Sequence, residues 1–368
     1  MILIPYAQLS PEQQKVIREV SRNDGNLFVE GAPGSGKTLI SLYTIKDYIE
    51  KENLKILVIM YNHSLYGFLK SAFNELEITV GVTIATKDKF FWDLANKNEI
   101  TINNNYGYEL KYNNLLTDLS LLDITSEYDL ILIDEVQDLQ SKEFNILKSL
   151  GKKIITLGDF KQGIYDSDLD RKDVENLGFF QRLIGIYRYH KKIAELANPF
   201  TDQDLIANVQ RSNGDSPKII ETNSDNQYND IYNLLKSINI DKSTGVICPS
   251  KETLKELSLF LTEKSFDHVY YEDNKQFRSH NFTINKPILL PLFSSKGLEF
   301  ENVILFGFNS NNYAVKKLQS VINEALLVGI TRTKNSLYIF RTPQDIPEIN
   351  KLRVEEEIVE ELNIDDWF

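Results

Sequence analysis

The chain has 368 residues, enough for two domains that each bury a core of their own. With 42% hydrophobic and 26% charged residues and no low-complexity tract, it reads as a globular protein. No apolar run approaches the about 18 residues that a membrane span needs, and the first residues lack the basic flank of a signal peptide. The net charge of −12 argues at first against a polyanionic partner. Residues 343–368, however, carry nine acids against only Lys351 and Arg353. The rest of the chain is therefore close to balance and free to present a local basic groove. Cys248 is the single cysteine, which excludes an internal disulfide and suits a reducing, cytoplasmic setting.

In chain order, short β-rich runs alternate with segments of helical character: 26–30 (NLFVE), 55–60 (KILVIM), 78–85 (ITVGVTIA), 129–133 (DLILI) and 153–158 (KIITLG). The second half repeats the style at 218–220, 244–248, 268–271, 287–293, 302–308 and 336–340. Continuous apolar strands separated by helices predict an α/β fold with parallel sheets covered on both faces. No Pro/Gly-rich linker marks a boundary, and the stretch 201–217 reads as a polar loop. We expect two α/β domains, 1–182 and 183–342, followed by an acidic tail, 343–368. That tail has apolar residues at near-helical spacing (Val354, Ile358, Leu362) and ends in an acidic, aromatic-terminated peptide.

FVEGAPGSGKT fits the phosphate-binding pattern G-x-x-x-x-G-K-[ST], with Gly31, Gly36, Lys37 and Thr38 in the required places. A strand precedes it and a helical run follows. Backbone N–H groups of Gly31, Ala32, Pro33, Gly34, Ser35 and Gly36, as far as each has one, would wrap a phosphate chain at a helix N-terminus. Lys37 would reach the β- and γ-phosphates of ATP, and the Thr38 hydroxyl would ligate Mg²⁺. At 127–140, EYDLILIDEVQDLQ ends an apolar strand in a cluster of acids. Asp134 is placed to complete the Mg²⁺ shell and Glu135 to act as general base on a water. Gln137 and Asp138 are expected to couple that chemistry to nucleic acid.

DEVQD resembles the DExQD box of the UvrD/Rep/PcrA group of superfamily 1 helicases, and further boxes follow in that family's order. LSPEQQKVI (9–17) resembles the Q-motif, which implies that Gln13 reads the adenine edge. TLGDFKQGIY (156–165) is similar to GDxxQxIY, making Gln162 the γ-phosphate sensor. IYRYHKKIAELAN (186–198) is similar to NYRS…AN, implying that Tyr187 stacks on the base and Arg188 reaches the γ-phosphate. SSKGLEFENVIL (294–305) places Glu299 at the ribose, and VGITRTKNSLYI (328–339) supplies Arg332 as a second arginine at the γ-phosphate. The resemblance spans 9–340 and implies two RecA-like P-loop NTPase domains with an ATP cleft between them. It also implies a catalytic set of Lys37, Glu135, Gln162, Arg188 and Arg332, and 3′→5′ movement on single-stranded DNA, with RNA left open.

Departures fall mainly on nucleic-acid grip. Lys37 to Asp134 spans 97 positions and Arg188 to Lys296 spans 108, too few for the family's accessory insertions. Leu39 stands where the family has an arginine, DSDLD follows Tyr165, and Pro291 and Phe293 replace a Thr and a His. For single-stranded nucleic acid the expected contacts are Tyr61, Asn62, Thr86 and Lys87, whereas Phe91 and Trp92 read as helix core. A motor stripped of accessory domains implies a protein partner such as a nuclease, in repair or anti-phage defence. The alternative is an ATP-driven switch that signals to a protein without unwinding.

Overall fold

The computed structural model describes residues 4–49, 54–61, 63–78, 81–102, 105–163, 167–238, 242–280 and 286–353. The tail residues Val354, Ile358 and Leu362 lie outside them. The chain divides into two compact units, one of Ile2–Gly31 with Gly36–Ile184 and one of Gly185–Phe368 with Ala32–Ser35.

In the first unit, six strands form one sheet: β1 (Leu27–Gly31), β2 (Ile56–Met60), β3 (Val82–Thr86), β4 (Tyr128–Ile133), β5 (Gly151–Gly158) and β6 (Phe179–Leu183). Their order is β3-β2-β4-β5-β1-β6, and every pairing is parallel. Parallel neighbours need long crossovers, and helices such as Lys37–Ile49 and Ser141–Leu150 supply them. This order has a functional consequence: β4, β5 and β1 are adjacent, so whatever follows their C-terminal ends is brought together. Lys153 on β5 ties the helical layer down, donating to the Val20 carbonyl at 3.1 Å and to the Asn23 carbonyl and Tyr48 hydroxyl. Glu30 on β1 is buried and accepts from Arg182 of β6 at 2.8 Å and from Arg171 at 3.0 Å, which secures the edge strand.

The second unit holds β7 (Ile186–His190) and β8 (Val209–Arg211) as a small parallel pair. Its main sheet is built from β9 (Lys218–Glu221), β10 (Thr244–Cys248), β11 (Val269–Tyr270), β12 (Ile288–Pro291), β13 (Phe300–Leu305) and β14 (Thr333–Arg341). The order is β11-β12-β10-β13-β14-β9, again all parallel. Side chains alternate between two cores, with Val303 and Leu305 on one face and Ile304 and Phe306 on the other. Cores on both faces explain why the strands read as unbroken apolar runs. Cys248 belongs to the second core, and burial pushes its thiol up to about 12, so it behaves as an apolar residue.

Three sequence expectations need correction. Within the run 78–85, residues 79 and 80 lie outside the described residues, and β3 begins at Val82, directly after Gly81 turns the chain at φ +82°, where a side chain would sit 2.6 Å from the Leu54 carbonyl. The supposed loop 201–217 contains the short helix Leu205–Asn208 and β8. Strand β6 escaped notice because an edge strand leaves Phe179 and Phe180 exposed among polar residues, which blurs its pattern. Phe91 is fully buried against Phe90 and Tyr112, as core rather than a stacking platform. Phe91→Ala should therefore cost about 3–5 kcal/mol in urea denaturation. A loss below about 1 kcal/mol would show that the ring is not core.

Candidate active site

The phosphate loop runs from the end of β1 into the helix that begins at Lys37. Its two glycines at positive φ, Gly34 (+82°) and Gly36 (+94°), adopt a backbone that side chains rarely tolerate. A Cβ on Gly36 would also lie 2.3 Å from the Gln13 amide nitrogen. Gln13 thus packs directly on the loop. It also closes a capping box with Ser10, whose N–H it accepts at 3.0 Å, so the residue expected at the adenine edge has a structural duty at its own helix start. Lys37 is buried and donates to the Gly31 carbonyl at 2.6 Å, which curls its stem over the loop. Within the second unit, the loop segment Ala32–Ser35 meets β7. There the Tyr187 N–H donates to the Gly34 carbonyl at 2.9 Å, and a Cβ on Gly34 would lie 2.8 Å from that of Arg188.

At the end of β4, the Thr38 hydroxyl donates to Asp134 at 3.2 Å. Asp134 is buried, and burial first, then the Glu135 charge, raises its carboxyl to about 7 despite the pull of Lys37 and Thr38. A buried carboxylate with a hydroxyl beside it and an unmet demand for positive charge is a donor set that fits a hard divalent cation such as Mg²⁺. Glu135 stands in the left-handed region at φ +56°, an uncommon conformation for a side-chain-bearing residue that recurs at active sites. What holds it is Gln137, whose amide donates to Glu135 at 2.6 Å and whose oxygen accepts the Asp159 N–H at 3.1 Å. The glutamine among the acids thus links the base candidate to the turn after β5. Gly158 is tight for the same reason, since a Cβ there would lie 2.5 Å from the Gln137 oxygen. The Gln162 side chain lies outside the described residues.

In the second unit, Arg188 and Arg332 converge on Thr331. Arg188 donates to the Thr331 carbonyl at 3.2 Å, and Arg332 to its hydroxyl at 3.3 Å. Arg332 is buried and also donates to the Val328 and Leu298 carbonyls at 2.9 and 3.2 Å. Glu299, expected at a ribose, here accepts from Arg188 at 3.0 Å and pairs with Lys334 at 3.4 Å. Burial would raise its carboxyl, but the two cations outweigh that and hold it below its ordinary value. Thr331 and Lys334 were not singled out from the sequence, although both sit beside Arg332 in the same box. The Tyr187 ring folds back over Gly185.

The expected nucleic-acid residues gather at the ends of β2 and β3, where Met60 and Thr86 are register partners. Asn62 lies outside the described residues. Thr86 is buried, and Lys87 corrects its expected role as a surface cation. Its ammonium lies 2.9 Å from the fully buried Glu143 and between the Tyr61 and Tyr112 rings, 5.1 and 5.5 Å from their centroids. The Tyr112 hydroxyl donates to the same Glu143 oxygen at 2.6 Å. Lys87 is therefore a buried brace for this corner, and Tyr61 is the partly exposed member of the set.

Residues 6–158 match the family described as "Type III restriction enzyme, res subunit", less than half of the chain. No curated protein matches the sequence. Among solved structures, the chain is similar to the PRRSV helicase, with 15% identity and a TM-score of 0.45 over 89% of this chain and 55% of that one. It is also similar to the Arterivirus nonstructural protein 10 helicase, at 13% identity and a TM-score of 0.45, covering 89% of this chain and 62% of that one. The chain thus spans little more than half the length of either. The matched residues 6–158 take in both the phosphate loop and the acids that follow β4.

Gln137→Ala should lower the ATPase kcat about 10- to 100-fold through displacement of Glu135, with KM for ATP nearly unchanged. An unaltered kcat in a folded variant would show that Gln137 does not govern the base.

Proposed function

We propose that the chain is a single-stranded DNA translocase or helicase of the UvrD-like superfamily 1 type, moving 3′→5′ and serving as the motor subunit of a repair or anti-phage complex with a protein partner such as a nuclease. The observation that supports it most is Glu135, held in a strained backbone by Gln137 beside Asp134, Thr38 and Lys37. In this reading Lys37 holds the β- and γ-phosphates, with Gln13, Tyr187 and Glu299 toward the nucleoside. Glu135 takes the proton of the attacking water. Thr38 and Asp134 hold Mg²⁺, which when bound neutralises charge on the phosphate oxygens. Arg188 and Arg332 meet the charge that develops on the transferred phosphoryl group, with Gln162 sensing its presence. The domain boundaries proposed are 1–182 and 183–342, with Tyr61, Asn62 and Thr86 at the nucleic-acid face. Single-stranded RNA remains an alternative track.

A second reading, a nucleotide-driven switch that signals to a protein without translocating, draws support from Lys87. Its charge is directed inward at Glu143 rather than out from the expected nucleic-acid corner.

ATP turnover measured with and without single-stranded DNA separates the two. A motor is stimulated severalfold, and unstimulated turnover would favour the switch. Glu135→Gln should abolish turnover while leaving ATP binding intact, and undiminished turnover would contradict the choice of base.

A further inference from the structure

We propose that Arg211 is a positioning residue for phosphoryl transfer, locking the strand that carries Arg188 to the turn that carries Arg332. The inference rests on the reading above, in which those two arginines serve the triphosphate.

Arg188 lies on β7, in the small sheet, whereas Arg332 directly precedes β14, in the large one. The two sheets share no ladder among the described residues, so backbone pairing does not fix one arginine against the other. Arg211 does. It ends β8 opposite His190, and its Nη1 donates to the Arg188 carbonyl at 2.5 Å and to the Lys334 carbonyl at 2.9 Å. One nitrogen of a planar, permanently charged fork thereby clamps both arginine-bearing segments through their main chains.

The rest of its segment reinforces the clamp. His190 Nε2 donates to the Asn335 carbonyl at 2.8 Å. Asp215 accepts from the Asn335 amide at 2.8 Å and from the Ser336 hydroxyl at 2.5 Å. Between them Gly214 presses on the His190 ring, where a Cβ would lie 1.9 Å from the ring's Cδ2, so only glycine lets the chain cross there. Residues 211–215 thus strap the start of β14 to β7. Arg211 bonds carbonyls rather than the two guanidinium groups, so it sets where those groups stand without touching them.

The test compares steady-state ATPase kinetics of the full chain with those of Arg211→Gln, Arg211→Lys, Arg188→Ala and the Arg188→Ala/Arg211→Gln double variant. Misplacing the arginines should lower kcat of Arg211→Gln about 10- to 100-fold while KM for ATP changes less than about twofold. Arg211→Lys, which keeps a cation with several donors, should recover part of that loss. With Arg188 already absent, Arg211→Gln should cost well under its single-variant effect. Wild-type turnover by Arg188→Ala would overturn the parent reading. A slow Arg188→Ala beside a wild-type Arg211→Gln would overturn the positioning role alone. Additive losses in the double variant, or a fall in melting temperature that tracks the loss of rate, would make Arg211 a general structural residue and also overturn it.

Discussion

A buried carboxylate with too little positive charge around it governs the first unit. Asp134 sits at the end of β4, out of water, with the Glu135 carboxyl as its neighbour and with Lys37, the Thr38 hydroxyl and the Glu135 N–H in its favour. Burying a charge is costly unless it is paired, so a site of this kind is complete when a cation joins it. The sheet order makes the site possible. Because β4, β5 and β1 are adjacent and parallel, the acids after β4, the turn after β5 and the phosphate loop after β1 share one edge. Gln137 then spans that edge, tying Glu135 to the backbone of Asp159.

The second unit handles charge in the opposite way. Its two arginines have their donors occupied by carbonyls, by Thr331 and, for Arg188, by Glu299. Glu299 in turn pairs with Lys334, which also meets Glu301 at 3.3 Å, so the carboxylates of the cluster offset only part of its positive charge. Arginine keeps its charge under all these conditions, so both guanidinium groups stay cationic while bonded inside the unit. The corner around Lys87 uses the same economy, with one buried lysine, one buried glutamate and two tyrosine rings closing a polar network inside the fold.

What the sequence made legible was whatever is local. The phosphate loop and the DEVQD box each lie between a strand and a helix or turn, so residue types and spacing were enough to mark Lys37, Thr38, Asp134 and Glu135 as candidates. The parallel α/β architecture was legible too, because strands buried on both faces leave unbroken apolar runs. Lys87 was misjudged because its partner Glu143 is 56 positions away, and nothing near Lys87 announces a buried pair. Strands β6, β7 and β8 were missed because edge and two-stranded elements carry mixed polarity. The role of Arg211 was invisible for a further reason: its bonds go to backbone carbonyls, which have no residue type to recognise.

The most direct measurement is titration calorimetry of the chain with a non-hydrolysable ATP analogue, with Mg²⁺ present and with it chelated. Saturable binding that weakens on chelation and disappears in Lys37→Ala is the result expected of a loop and carboxylate built for a metal-bound triphosphate. Absence of binding, or binding indifferent to both the metal and Lys37, would contradict it.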